Sequence, residues 1–191
     1  MKARDLILPA SLLAGVAALL SWGSSGSAEA LPTTPEPRPI VPGGRLMSPF
    51  GPRRNAAGPS FHYGIDLAAA RAAPVYSPID GVVVAAYPDG EVPGYGNVLT
   101  LRRGTMGLLF AHLDSMDVRR GDRVVAGQLL GRVGSTNSAG GFETSGPHLH
   151  LEVIVPTPGE DVAAGLAHFT GSTPPRTDPA AWANEVGARL V

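Results

Sequence analysis

Between residues 45 and 155 every apolar run is soon interrupted by a glycine, proline, asparagine or aspartate. The runs "APVYSPIDGVVVAAY", "GNVLTLRR", "GLLFAHL", "DRVVAGQLLGRV" and "HLHLEVIV" are rich in valine, leucine and aromatic residues, and none carries a sustained helical repeat. Runs of this length suit strands better than amphipathic helices. The segment is therefore expected to be mainly β, an antiparallel β-sheet or β-sandwich with tight turns. "SPIDGVVVA" and "RRGDRVVAGQLLGRVG" each set a turn signal directly before a strand, as in packed hairpins. One helical pattern closes the chain: "DPAAWANEVGARL" offers Asp178 as N-cap and Pro179 in the first turn, which predicts a short C-terminal helix.

Four segments are expected. Residues 1–30 read as an export signal, with Lys2 and Arg4 ahead of the apolar stretch "LILPASLLAGVAALL" and small residues at Ala28 and Ala30, where cleavage would fall. That stretch is short against the roughly 20 residues that span a bilayer, and Pro9 interrupts it, so no stable membrane anchor is expected after cleavage. Residues 31–44, "LPTTPEPRPIVPGG", are too rich in proline for helix or sheet interior and read as a solvated linker. Residues 45–155 form the folded domain, and 156–191 an extension packed on it or trailing it. No internal repeat is present, and a periplasmic or secreted monomer is expected.

Composition narrows the function. A formal net charge of -1, with no basic cluster interleaved with aromatics, gives no electrostatic reason for nucleic-acid binding. The 191 residues include no cysteine, which excludes a disulfide frame, a thiol nucleophile, a cysteine-ligated zinc site and a lipoprotein anchor.

The chemistry concentrates in the histidines. His148 and His150 stand one residue apart in "GPHLHLEV", so on a strand both rings face the same way, where leucines would pack at lower cost. A neighbouring pair calls for a shared partner such as a metal ion or a reacting group. Strand neighbours of this kind lie about 6.7 Å apart along the chain, so one ring can ligate while the other reaches substrate. "FHYGIDLAAA" adds His62 and Asp66, which converge only if a turn lies between them. His112 lies in another short run, and His168, in the tail loop, reads as a surface residue. Two nitrogens and one oxygen with a fourth position left open is the pattern of a catalytic zinc site. Glu152 shares the strand face of the pair and either orients an imidazole or is a solvated strand-end carboxylate.

His62-Tyr-Gly-Ile-Asp66, then Ala111-His112-Leu113, then Gly146-Pro147-His148-Leu149-His150 resemble the signature of the lysostaphin-type, LytM-like zinc metalloendopeptidases, which hydrolyse peptidoglycan. The resemblance covers roughly residues 45–155 and includes "SPFGPR", "PVYSPIDGVVVAA", "GYGNVLTLRRG" and "GDRVVAGQLLGRVGST". It implies a LytM-type β domain in which His62, Asp66 and His150 hold Zn2+ and His112 and His148 are the catalytic pair. Which of the two is the general base stays open. The implied activity is cleavage of peptide cross-links or stem peptides in bacterial peptidoglycan.

Some members of that fold have lost their ligands and instead activate other wall hydrolases; here the ligand set is complete. A biotinyl or lipoyl carrier shares the "GDRVVAGQLLGRVG" pattern but attaches its cofactor to lysine, and Lys2, within the signal, is the only lysine. The chain departs from the family pattern in the long loop "STNSAGGFETSG" before Pro147, in residues 156–177, and in Phe110, where many relatives carry tyrosine. Each loop is read either as a tolerated surface insertion or as a shaper of the substrate groove.

Overall fold

The computed structural model describes residues 38–53, 61–135, 146–155 and 176–191. The expected signal 1–30, His168, most of the long loop before Pro147 and residues 156–175 lie outside these residues.

Among the described residues twelve strands precede one helix: β1 Arg45–Ser48, β2 Gly51–Pro52, β3 Phe61–His62, β4 Ile65–Ala68, β5 Pro74–Tyr76, β6 Gly81–Tyr87, β7 Asn97–Arg103, β8 Met106–Met116, β9 Arg123–Val124, β10 Leu129–Val133, β11 His148–Ile154, β12 Arg176–Thr177 and α1 Pro179–Val186. The fold is mainly antiparallel β with one short C-terminal helix, as expected. The large sheet runs β1-β4-β11-β8-β7-β6-β9, with β12 added to β11 and β10 bridging β5 and β8; β2 and β3 form a separate ribbon. The turn at Gly104 (φ 60) and Thr105 closes the β7–β8 hairpin, in which Arg103 faces Met106.

β11 is the centre of this arrangement. It pairs with β4 on one side and β8 on the other, and all seven of its residues are buried. Its two faces differ because strand side chains alternate. Leu149, Leu151 and Val153 enter the main core with Ile65, Leu67, Leu108 and Phe110. The opposite face carries His148, His150 and Glu152 and ends at Ile154, which packs with Ala111, Leu109 and Val98 in a second apolar cluster. The leucines between the histidines anchor the strand. The histidines are what it presents.

Two expectations need correction. The solvated linker does not extend to Gly44: Ile40 and Val41 are fully buried in the main core. Their amides donate to the carbonyls of Arg189 and Leu190, and the Ile40 carbonyl accepts from the Tyr76 amide. Pro39 and Pro42 favour an extended backbone, and the apolar pair between them has enough surface to be drawn in. Nor is "RRGDRVVAGQLLGRVG" a hairpin. β9 pairs with β6, whereas β10 pairs with β5 and β8, so the segment crosses between strands. The Gly127 amide on Ser77 and the Ala126 amide on Asp80 hold that crossing in place.

The helix forms as its sequence directs. The Asp178 carboxylate accepts from the Ala180 amide at 2.9 Å, and Gly187, at φ 68, ends it in the left-handed conformation. Trp182 and Ala183 join the main core, so this end of the extension is packed on the domain. Among the described residues no helix is long and apolar enough to cross a membrane.

Candidate metal centre

Asp66 and His150 are directly opposed residues on β4 and β11, so their side chains share a face and meet: His150 Nδ1 lies 2.9 Å from Asp66 Oδ1. His62 arrives from β3, through the turn that the His-x-x-x-Asp spacing requires. Its Nε2 lies 3.1 Å from Asp66 Oδ1 and 3.1 Å from His150 Nδ1. All three residues are buried.

Proton assignment explains why this trio is unusual. His62 Nδ1 lies 2.8 Å from the Pro49 carbonyl, so the ring donates there and directs a lone pair from Nε2 into the centre. His150 Nε2 lies 3.0 Å from Glu152 Oε1, so that ring donates to Glu152 and turns the Nδ1 lone pair inward. Two lone pairs and a carboxylate oxygen thus converge on one point. Such a group is stable only around a positive charge, either a proton or a cation.

The electrostatics agree. Burial opposes the charge on Asp66, but the His150 and His62 rings against it outweigh that and hold the carboxyl well below the usual range. Burial also disfavours a charged His150, yet its bonds to Asp66 and Glu152 prevail and raise it to about 9. A zinc ion bonded at about 2.0–2.2 Å with tetrahedral angles sets neighbouring donors roughly 3.3 Å apart. The observed spacings are within a few tenths of an ångström of that, so the donor set fits such an ion. Among the described residues this is the one group of three such side chains close enough to hold a metal.

His112 and His148 border the trio. Their ring centroids are 4.8 Å apart, and His112 lies 5.9 Å from His150. His148 donates from Nδ1 to the Gly146 carbonyl at 2.9 Å, which leaves Nε2 an acceptor 3.8 Å from Asp66 Oδ1. His112 is aimed by a bulge in β8: three steps from Phe110 to Leu113 oppose two on β7 from Leu99 to Asn97. Its φ is 59, a left-handed conformation costing a non-glycine residue about 1–2 kcal/mol. The neighbours impose it. The His112 amide donates to Tyr95 O at 2.8 Å, and its carbonyl accepts from the Gly134 amide at 2.9 Å. All five residues singled out in the sequence therefore gather in one place.

Glu152 is fully buried, which excludes the reading of a solvated strand-end carboxylate. Burial works against its charge too, but His150 and Arg176 bring it down to about 2. Tyr95 was missed in the sequence. Its hydroxyl donates to Glu152 at 3.0 Å, and its ring stacks on His112 at 6.4 Å. Burial and the neighbouring Glu152 charge raise the phenol above its usual range, so it remains a donor. Arg53, near Asp66 Oδ2 at 3.4 Å, was also missed.

Gly64, between His62 and Asp66, leaves no room for a side chain. A Cβ there would meet the Leu151 carbonyl and lie 2.8 Å from His150 Cε1. Gly64→Ala is expected to push His150 off the common point and weaken metal binding about tenfold or more, measured by chelator competition. Unchanged affinity would show that the turn tolerates displacement.

Two imidazoles and a carboxylate around one point, with two further imidazoles beside them, make a candidate metal site. The sequence profile of peptidase family M23 matches residues 60–163, more than half of the chain, and the chain belongs to that family. It is 36% identical over 117 residues to peptidoglycan DD-endopeptidase ShyA of Vibrio cholerae, covering 58% of this chain and 25% of that protein. It is 32% identical over 111 residues to murein hydrolase activator NlpD of Escherichia coli, covering 58% of this chain and 26% of that one. The chain thus spans about a quarter of the length of these relatives. The catalytic domain of lysostaphin from Staphylococcus simulans superposes with TM-score 0.57 at 25% identity, covering 74% of this chain and 92% of that domain. A zinc-containing peptidase from Vibrio cholerae gives TM-score 0.53 at 32% identity, covering 61% of this chain and 35% of that one.

Proposed function

We propose that this chain is an exported zinc endopeptidase that cleaves peptide bonds in bacterial peptidoglycan. The observation that carries the reading is the convergence of His62 Nε2, Asp66 Oδ1 and His150 Nδ1 within 3.1 Å of one another, with the remaining imidazole nitrogens of His62 and His150 tied to other partners. These three residues would hold the zinc. When bound, zinc supplies Lewis acidity that polarises a scissile carbonyl and makes hydroxide available near neutral pH.

The chain's own residues supply the rest. His148, with Nδ1–H held by Gly146 O, offers its Nε2 lone pair toward the centre, the state required of a general base. His112 stands across from it in a backbone conformation held from both sides, suited to steadying developing charge or returning a proton. Tyr95 packs against His112 and limits its movement. The peptide bond selected, whether a D-amino-acid cross-link or a glycyl bond, depends on groups beyond these.

A second reading follows from the relative NlpD, described as a murein hydrolase activator: a non-catalytic scaffold regulating other wall hydrolases. The complete ligand set and both flanking histidines favour catalysis. Digestion of purified sacculi decides between the two. Peptide fragments that shift in mass by one water and vanish with a chelator are expected. Intact sacculi with the zinc-loaded chain, together with stimulation of a separate hydrolase, would support the scaffold.

A further inference from the structure

The carboxylate behind the metal centre has more partners than one ligand requires. Glu152 Oε1 accepts from both His150 Nε2 and the Tyr95 hydroxyl, each at 3.0 Å. Its other oxygen, Oε2, accepts from Arg176 Nε at 2.5 Å. Arg176 lies on β12, whose register with β11 places it opposite Ile154 and diagonal to Glu152 on the same face. Its side chain is 2% exposed and that of Glu152 is 0% exposed. Arg176 also lies beyond the segment matched by the family profile, in the C-terminal extension.

A buried ion pair is a weak source of stability, because removing two charges from water offsets most of their attraction. What such a pair does provide is geometry. With Oε2 held by a guanidinium, the carboxylate plane cannot turn, and Oε1 stays where His150 and Tyr95 both reach it. His150 is thereby kept with Nδ1 toward Asp66 and His62. Tyr95, whose carbonyl accepts from the His112 amide, is kept against the second ring.

We propose that Arg176 is a positioning residue of the metal centre: the C-terminal extension delivers it to Glu152, and through Glu152 it fixes the orientation of His150 and hence the affinity for the metal. The proposal rests on the reading of the centre as a zinc site. It assigns the extension a part in the site that a trailing tail would not have.

The test is the zinc dissociation constant, measured by competition with a chromophoric chelator, for the wild-type chain, Arg176→Ala, Arg176→Lys and Asp178→Ala. Arg176→Ala is expected to weaken zinc about tenfold, the scale on which outer partners of metal-bound histidines act. Arg176→Lys, which keeps a charged donor, should recover most of that loss. Asp178→Ala removes the helix cap next to β12 and lowers the melting temperature, yet should leave zinc affinity within about twofold. Should the alanine variant not fold, Arg176→Met keeps most of the side-chain volume and carries the same tenfold expectation. Affinity within about twofold of wild type in Arg176→Ala, or in Arg176→Met where the alanine variant does not fold, or an equal loss in Asp178→Ala, overturns the proposal. A wild-type chain that binds no zinc overturns the metal reading first and this one with it.

Discussion

Asp66→Ala is expected to lose both zinc and peptidoglycan cleavage, with the rate falling about a thousandfold or more. The Asp66 carboxylate is the one anionic donor of the trio, and its Oδ1 lies within 3.1 Å of both imidazole nitrogens. Removing it leaves two neutral nitrogens, too few to retain zinc at ordinary concentrations. Polarisation of the scissile carbonyl is worth several kcal/mol, and each 1.36 kcal/mol is tenfold in rate. Asp66→Asn sharpens the test, since it keeps the shape and removes the charge. Metal content and fragment release, read on the same preparations, check the result; full zinc occupancy in Asp66→Ala would remove Asp66 from the ligand set.

The second large effect concerns His112 and separates catalysis from binding. His112→Gly is expected to retain zinc and to lower turnover by about a hundredfold to ten-thousandfold, the range for a positioned acid–base group. Its stability should change less than that of most buried substitutions. The φ of 59 is strained for histidine and free for glycine, so relief of strain offsets lost ring packing and the melt should stay close to wild type. Turnover at the wild-type rate would place the proton transfers elsewhere.

The sequence made some of this architecture legible and hid the rest, for identifiable reasons. Alternation fixed the faces of β11: leucines at 149 and 151 inward, histidines at 148 and 150 on the other side. The Asp-Pro start and the glycine stop of α1 are local capping signals and hold in the structure. The convergence of His62 and Asp66 required a turn, and the spacing alone could not establish one. Which ring of the His148/His150 pair meets His62 and Asp66 depends on register with β4, a long-range fact that residue spacing could not supply. Ile40 and Val41 were hidden by the prolines around them. Arg176 carries no local signal, because its meaning lies in a partner 24 residues away across a strand pairing. The unusual backbone of His112 was equally invisible, since Tyr95, ahead of β7, and Gly134, just after β10, impose it.

Titrating the metal-free chain with zinc near pH 7.5 tests the central claim most directly. Burial disfavours charge on His150, but its hydrogen bonds to Asp66 and Glu152 raise it to about 9, so the ring holds a proton that an incoming cation must displace. The account predicts about one zinc bound per chain, roughly one proton released with it, and loss of that binding in the His62, Asp66 and His150 alanine variants. Absence of zinc binding, or tight binding that survives those substitutions, would contradict it.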